Sequence, residues 1–258
     1  MKITAAAPSF NGKKACSFAK GRYIWIAESD DWCEPSFLET LVPSLEADPE
    51  VRIAYCQSLC LDEQGKIKWV SKHSRLEQVL EGEEFVKRFM LKGNSIFNAS
   101  MSVFRKAGLP ESNHFTSYRF CGDWYFWIEL ALEGKVMISG KVLNYFRKHS
   151  RDVSSKAVAK GLYYTESTDI LMIAMKKIGI QQDLLGELVE KRAQSFLKDE
   201  HLFESEEVKR AVLEKLKELD PSIVSRIRRL KAGLKLKNVK SRIHAGFKHW
   251  GFGGSVLL

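Results

Sequence analysis

The chain has 258 residues, a formal net charge of +9 and 45% apolar residues, enough for one large domain or a domain plus an appendage and too apolar for a disordered whole. The charge is uneven: residues 221–258 hold nine Lys or Arg and no Asp or Glu, which leaves 32 basic residues against 32 acidic ones before them. Five scattered cysteines without a CxxC pair argue against a disulfide framework and a structural zinc site. With no apolar h-region and no run near the ~18 residues of a membrane span, a soluble cytoplasmic protein is expected, at most peripheral at the inner face of a membrane.

In chain order, NGKKACSFAK reads as the end of a helix, with Gly21 where a C-cap glycine belongs. RYIWIA follows as a strand buried on both faces and runs directly into ESDD, Glu28 to Asp31. Helix then strand is an αβ unit, and in open α/β sheets ligands bind beyond the C-terminal strand ends. Three carboxylates packed at such an end repel one another and lose hydration, so a cation or some chemistry is expected to compensate them.

EPSFLETLVPSLEADPE reads as an amphipathic helix that Pro43 kinks or ends early. VRIAYCQSLCLDEQGKIKWV gives two strands around a turn at Asp62 to Lys66. EGEEFVKRFMLKG is a helix closed by Gly93, and NSIFNASMSVFRKAG begins as strand or loop, with Phe97, Met101 and Phe104 expected in the core. GDWYFWIELALEGKV is a helix with Trp124, Trp127, Ile128, Ala131 and Leu132 on its apolar face and Asp123 at its start, where a carboxylate caps free N–H groups. VMISGKVLNYFRKHSRDVS reads as strand, turn and strand. From about Ala157 to Leu219 the pattern is helical. His73, His114 and His201 are expected at the surface, and Cys56 and Cys60 as packed thiols.

The runs FAKGRYIWIAESDDWCEP, CGDWYFWIELALEGKV and NYFRKHSRDVS, in that order, resemble the family 2 glycosyltransferases of the GT-A fold across roughly Asn11 to Ser155. The resemblance implies an α/β chain: an incomplete GT-A (Rossmann-like) sheet domain over 1–155, a helical region over 156–220 and a basic amphipathic tail over 221–258. It implies an inverting transferase of the polysaccharide-biosynthesis kind, moving sugar from a nucleotide-diphosphate donor to a glycan or lipid-linked acceptor, with Mg2+ or Mn2+ as cofactor. Glu28 and Asp30 fall on the acidic ends of the DxD motif, with Asp30 as metal ligand. Glu28, Asp31, Arg147 and His149 fall at the donor, Asp123 is the catalytic base, and Trp124 offers its face to a sugar while Trp127 belongs to the core.

The chain departs from the family pattern in three places. The usual N-terminal nucleotide-binding strands are not found before Asn11, which leaves half of the donor site and a sheet edge unaccounted for and makes self-association an expectation. Glu28 replaces the commoner Asp, and Gly122 replaces the acidic residue that usually precedes the base.

Simpler readings stand beside these. Asp30, Asp31 and Asp123 are placed to cap helices, and Arg147 and His149 each to join a surface ion pair with an acidic group. The tail interleaves cations with Leu230, Leu234 and Trp250, which suits an anionic membrane surface; nucleic acid competes without a recognised motif. The alternatives to an enzyme are therefore a non-catalytic glycosyltransferase-like binding or scaffold protein, and a peripheral membrane or nucleic-acid binder acting through the tail.

Overall fold

The computed structural model describes residue 16 and residues 18–110, 114–148 and 153–234. These form two compact units, one ending at Ile180 and one beginning at Gln181. In the first, a seven-stranded sheet is built from β1 (Tyr23–Trp25), β2 (Trp32–Cys33), β3 (Val51–Leu61), β4 (Ile67–Val70), β5 (Glu77–Glu81), β6 (Ser102–Arg105) and β7 (Lys135–Arg147). Its order is β1-β6-β3-β7-β2, with β4 beside β3 and β5 beside β7. β3 and β7 run parallel, and the other pairings are antiparallel.

The long β3 and β7 form the centre: in β3 only Arg52 and Leu59 are less than buried, and β7 buries Val136 to Ser139, Leu143 and Asn144 against it. α1 (Phe37–Ala47) seals one side with Phe37, Leu41 and Leu45. It passes through Pro43 without ending and stops at Asp48, whose carboxylate accepts the N–H of Glu50 at 2.8 Å. The β3–β4 turn forms as its sequence predicts: Asp62 Oδ1 accepts the N–H groups of Gln64 and Lys66 at 3.1 and 2.9 Å, and Gly65 takes φ +78°. α2 (Gly82–Phe85) continues into a π turn (Val86–Met90).

α3 (Gly122–Leu132) is buried nearly all round rather than along one stripe, with Trp124, Tyr125, Phe126, Trp127, Ile128, Leu130 and Ala131 inside, the signature of a central helix. Trp127 packs edge-on against Phe104 at 5.5 Å and Phe126 at 4.9 Å. α4 (Val153–Ala159) and α5 (Leu162–Ile178) complete the first unit. In the second, α6 (Gln182–Asp199), α7 (Glu206–Leu219) and helical residues 223–234 pack through Leu188, Val212, Leu216, Ile223 and Ile227.

Four expectations are corrected. β1 is shorter than RYIWIA, and among the described residues no strand pairs with its outer side. Gly21 does not take the left-handed conformation of a C-cap glycine. β7 is one strand of 13 residues where strand, turn and strand were expected. The turn signal at Gly140 survives only as a bulge, since Tyr55 pairs with Ile138 but Gln57 with Val142. Phe97 is 40% exposed, whereas Met101 and Phe104 are fully buried as expected.

Cys56 and Cys60 are buried, and all five cysteines are free thiols. No described helix is long and apolar enough to cross a membrane. Residues 1–15, His149 and residues 235–258 lie outside the described residues, and with them part of the expected N-terminal helix and most of the basic tail.

The packing separates two phenylalanines that the sequence treats alike. Phe104→Ala should cost about 3–5 kcal/mol and Phe97→Ala less than about 1 kcal/mol, as read from urea denaturation midpoints.

Candidate active site

The acidic run leaves β1 as a short turn, closed by the N–H of Asp31 on the carbonyl of Glu28 at 3.3 Å, and enters β2 at once. β2 pairs with the far end of β7, Trp32 opposite Tyr145 and Cys33 opposite Asn144. The carboxylates therefore sit where β1, β2 and the C-terminal end of β7 meet.

Asp31 is held by several partners. It accepts hydrogen bonds from the Asn98 side-chain amide, from the backbone N–H of Arg147 at 3.3 Å and from the Ser100 hydroxyl. That hydroxyl in turn accepts the N–H of Glu28 at 2.9 Å, and the carbonyl of Ser100 accepts the indole N–H of Trp25 at 2.9 Å. Beneath them the amide of Asn144 donates to Ser58 Oγ at 2.6 Å and to Asn98 Oδ1 at 3.2 Å. Asp31 thus ties the end of β1 to the segment before β6 and to the end of β7.

The electrostatics follow from crowding. Burial first, then the charges of Asp31 and Asp30, lift the Glu28 carboxyl to about 7, with Asp123 among the further contributors. Asp31 is raised mainly by burial, against which its hydrogen bonds pull. Glu28, Asp30, Asp31 and Asp123 therefore act on one another across one region. The Arg147 guanidinium is exposed and lies over the Trp32 ring at 5.3 Å, and that ring stacks on Tyr145 at 5.3 Å. Arg147 is brought to the acidic cluster; His149 is among the residues not described.

Asp123 stands in the first turn of α3. Its carboxylate accepts the Asn94 amide at 3.1 Å together with the N–H groups of Trp124 and of Asp123 itself. Burial outweighs these bonds and lifts the carboxyl to about 6, with Glu166 adding to the rise. A carboxylate poised there is ionised at neutral pH yet basic enough to accept a proton in a transition state.

Gly122, where the resemblance expects an acidic residue, has no room for one: a Cβ there would stand 2.4 Å from the carbonyl oxygen of Phe115. Trp124 is corrected from sugar contact to core. It is 2% exposed and donates its indole N–H to the Met90 carbonyl at 3.1 Å. Trp127 is core as expected. Asn94, Asn98, Ser100 and Glu166 were not anticipated; the only sequence signal was the cluster of Asn and Ser in NSIFNAS.

Among the described residues no group of three or more His, Cys, Asp or Glu side chains is arranged to hold a metal. A hard divalent cation bound through phosphate oxygens needs only one or two carboxylates from the protein, and the repelling cluster around Glu28 suits that partial role.

The fold resembles that of a GT-A glycosyltransferase domain. Residues 11–111 match the family described as glycosyl transferase family 2. Among solved structures the chain is similar to S. aureus TarS 1-349, at 13% identity over 76% of this chain and 52% of that one, with a TM-score of 0.47. It is also similar to S. aureus TarS 1-349 in complex with UDP-GlcNAc, at 13% identity over 88% and 66%, with a TM-score of 0.54. This second likeness shows the shared fold. The chain spans between about half and two thirds of the length of these structures. No curated protein matches the sequence.

Two outcomes follow from this geometry. Gly122→Ala should destabilise by about 1–3 kcal/mol or more, because the obstacle is backbone. Asp123 carries a folded-state value above its ordinary one, so its ionisation opposes folding: stability is greatest below about pH 4 and is lost as pH rises towards about 6. Asp123→Asn should therefore raise the denaturation midpoint at pH 8, by on the order of 1–3 kcal/mol, with the gain vanishing near pH 4.

Proposed function

We propose that the chain is an inverting glycosyltransferase, using a nucleotide-diphosphate sugar as donor and a glycan or lipid-linked molecule as acceptor. The carrying observation is the pairing of two unlike acidic centres: a crowded group at the end of β1, and a separate carboxylate, Asp123, held near 6 at the start of α3. The UDP-GlcNAc named for the TarS complex makes a uridine diphosphate sugar the first donor to try.

In this reading Asp123 takes the proton of the acceptor hydroxyl as its oxygen attacks the anomeric carbon from the side opposite the diphosphate. The bond from that carbon to the diphosphate oxygen breaks, the configuration inverts, and the nucleoside diphosphate leaves with the electron pair. Asp30 would hold Mg2+ or Mn2+, which would supply positive charge to offset that of the leaving diphosphate. Glu28 and Asp31 shape the same pocket, Asp31 by fixing the turn, and the exposed Arg147 cation is available to phosphate. The site belongs at the cytoplasmic side of a membrane if the acceptor is lipid-linked, with the basic tail as the surface contact.

Calorimetric titration of UDP, UDP-GlcNAc and other nucleotide sugars with and without Mn2+ tests this directly. Binding should require the metal and weaken at least about tenfold in Asp30→Ala, a loss of about 1.4 kcal/mol. Asp123→Asn should bind donor normally but transfer at least about a hundredfold more slowly. Failure of every nucleotide to bind would return the chain to the non-catalytic binding or scaffold reading.

A further inference from the structure

Glu166 lies on α5 and is only 7% exposed. Its Oε1 accepts the backbone N–H of Arg119 at 2.7 Å, and its Oε2 those of Phe120 and Cys121 at 2.8 and 2.7 Å. These are consecutive residues of the turn that runs into α3, and Cys121 is the last residue before the helix begins at Gly122.

The turn is held at two further points. Phe120 packs edge-on against Tyr163 of α5 at 6.2 Å, and Gly122 lies against the Phe115 carbonyl too closely for any side chain. Hydrogen bonds to an ionised acceptor are roughly twice as strong as neutral ones, and at a buried site no water replaces them when they are lost. One carboxylate thereby fixes three backbone groups whose direction sets that of the residue two places on, Asp123.

We propose that Glu166 is a positioning residue: by gathering the N–H groups of residues 119–121 it fixes the start of α3 and aims the Asp123 carboxylate at the reacting hydroxyl. This rests on the reading of Asp123 as the base. Glu166 touches neither donor nor acceptor in this role. Asn94 holds the carboxylate itself while Glu166 holds the backbone that carries it, so the base is constrained at both ends. Glu166→Gln is the informative change, because it keeps the shape but turns one acceptor into an NH2 facing backbone donors.

Three readouts on the whole chain decide the matter: amide hydrogen exchange, calorimetric affinity for UDP with Mn2+, and turnover of whichever nucleotide sugar binds. The expected result for Glu166→Gln is exchange at least about tenfold faster at residues 119–123 than elsewhere in the domain. UDP affinity should stay within about twofold while turnover falls at least about tenfold. Glu166→Asp, which keeps the charge on a shorter arm, should lie between wild type and Glu166→Gln, and is read by the same criteria should the latter fail to fold. Unchanged exchange at 119–123, exchange that quickens evenly across the domain, or an equal loss of UDP affinity and turnover would each overturn the proposal. If wild type binds UDP but no sugar is transferred, the reading of Asp123 as base fails, whereas local exchange still decides whether Glu166 holds the helix start.

Discussion

Burying acidic groups at the rim of an apolar domain is the constraint on which the rest of this structure depends. An ionised carboxylate taken out of water must be hydrogen-bonded, paired or protonated, and each acid here meets that demand differently. Asp31 is hydrogen-bonded from three directions. Glu28 is pushed towards its protonated form. Glu166 is satisfied entirely by backbone N–H groups. Because the donors come from separate stretches of chain, satisfying the acids also fastens the β1 turn, the segment before β6, the end of β7, and the joint between α5 and α3.

The polar layer beneath the site has the same logic carried one step inward. Asn98 can offer its amide to Asp31 because its own oxygen is engaged by Asn144, which reaches Ser58 in the central strand. All three are buried polar residues, and a polar group in such a place specifies geometry only when its partners are present. The acidic turn is therefore referenced to β3, a deeply buried strand, rather than to solvent-facing loops. The oxygen of Asn144 is left without a partner, as is the indole N–H of Trp127 in α3, a local cost of burying polar groups this deeply.

How much of this was legible in the sequence depended on the range of the interaction. The acidic run after YIWIA and the aspartate opening an aromatic helix are local patterns, and both were read as such. The β3–β4 turn was equally local, its Asp62 bonds spanning two and four residues. The turn signal at Gly140 failed because β7 changes neighbours there: the glycine lets the Arg75 carbonyl approach, at 2.2 Å from where a Cβ would stand. Trp124 misled because an aromatic beside an aspartate proposed as the base suggests a sugar platform, while its indole N–H is used inside the core. Asn98 and Glu166 carry no periodic signal, and their partners lie 67 and 45 to 47 residues away; only the folded chain reveals them.

Gly122 shows how a departure from a family pattern is read physically. An acidic residue is expected before the base, and its absence alone would suggest a weakened site. The Phe115 carbonyl occupies the space its side chain would need, so the local backbone was built around glycine, and a second negative charge beside Asp123 was never part of this arrangement. Burial and Glu166 already raise Asp123. Another carboxylate one residue away would raise it further and leave less of the base ionised at neutral pH. Glycine at this position thus keeps the Asp123 proton affinity within the range that general-base chemistry uses, as the base role proposed for Asp123 requires.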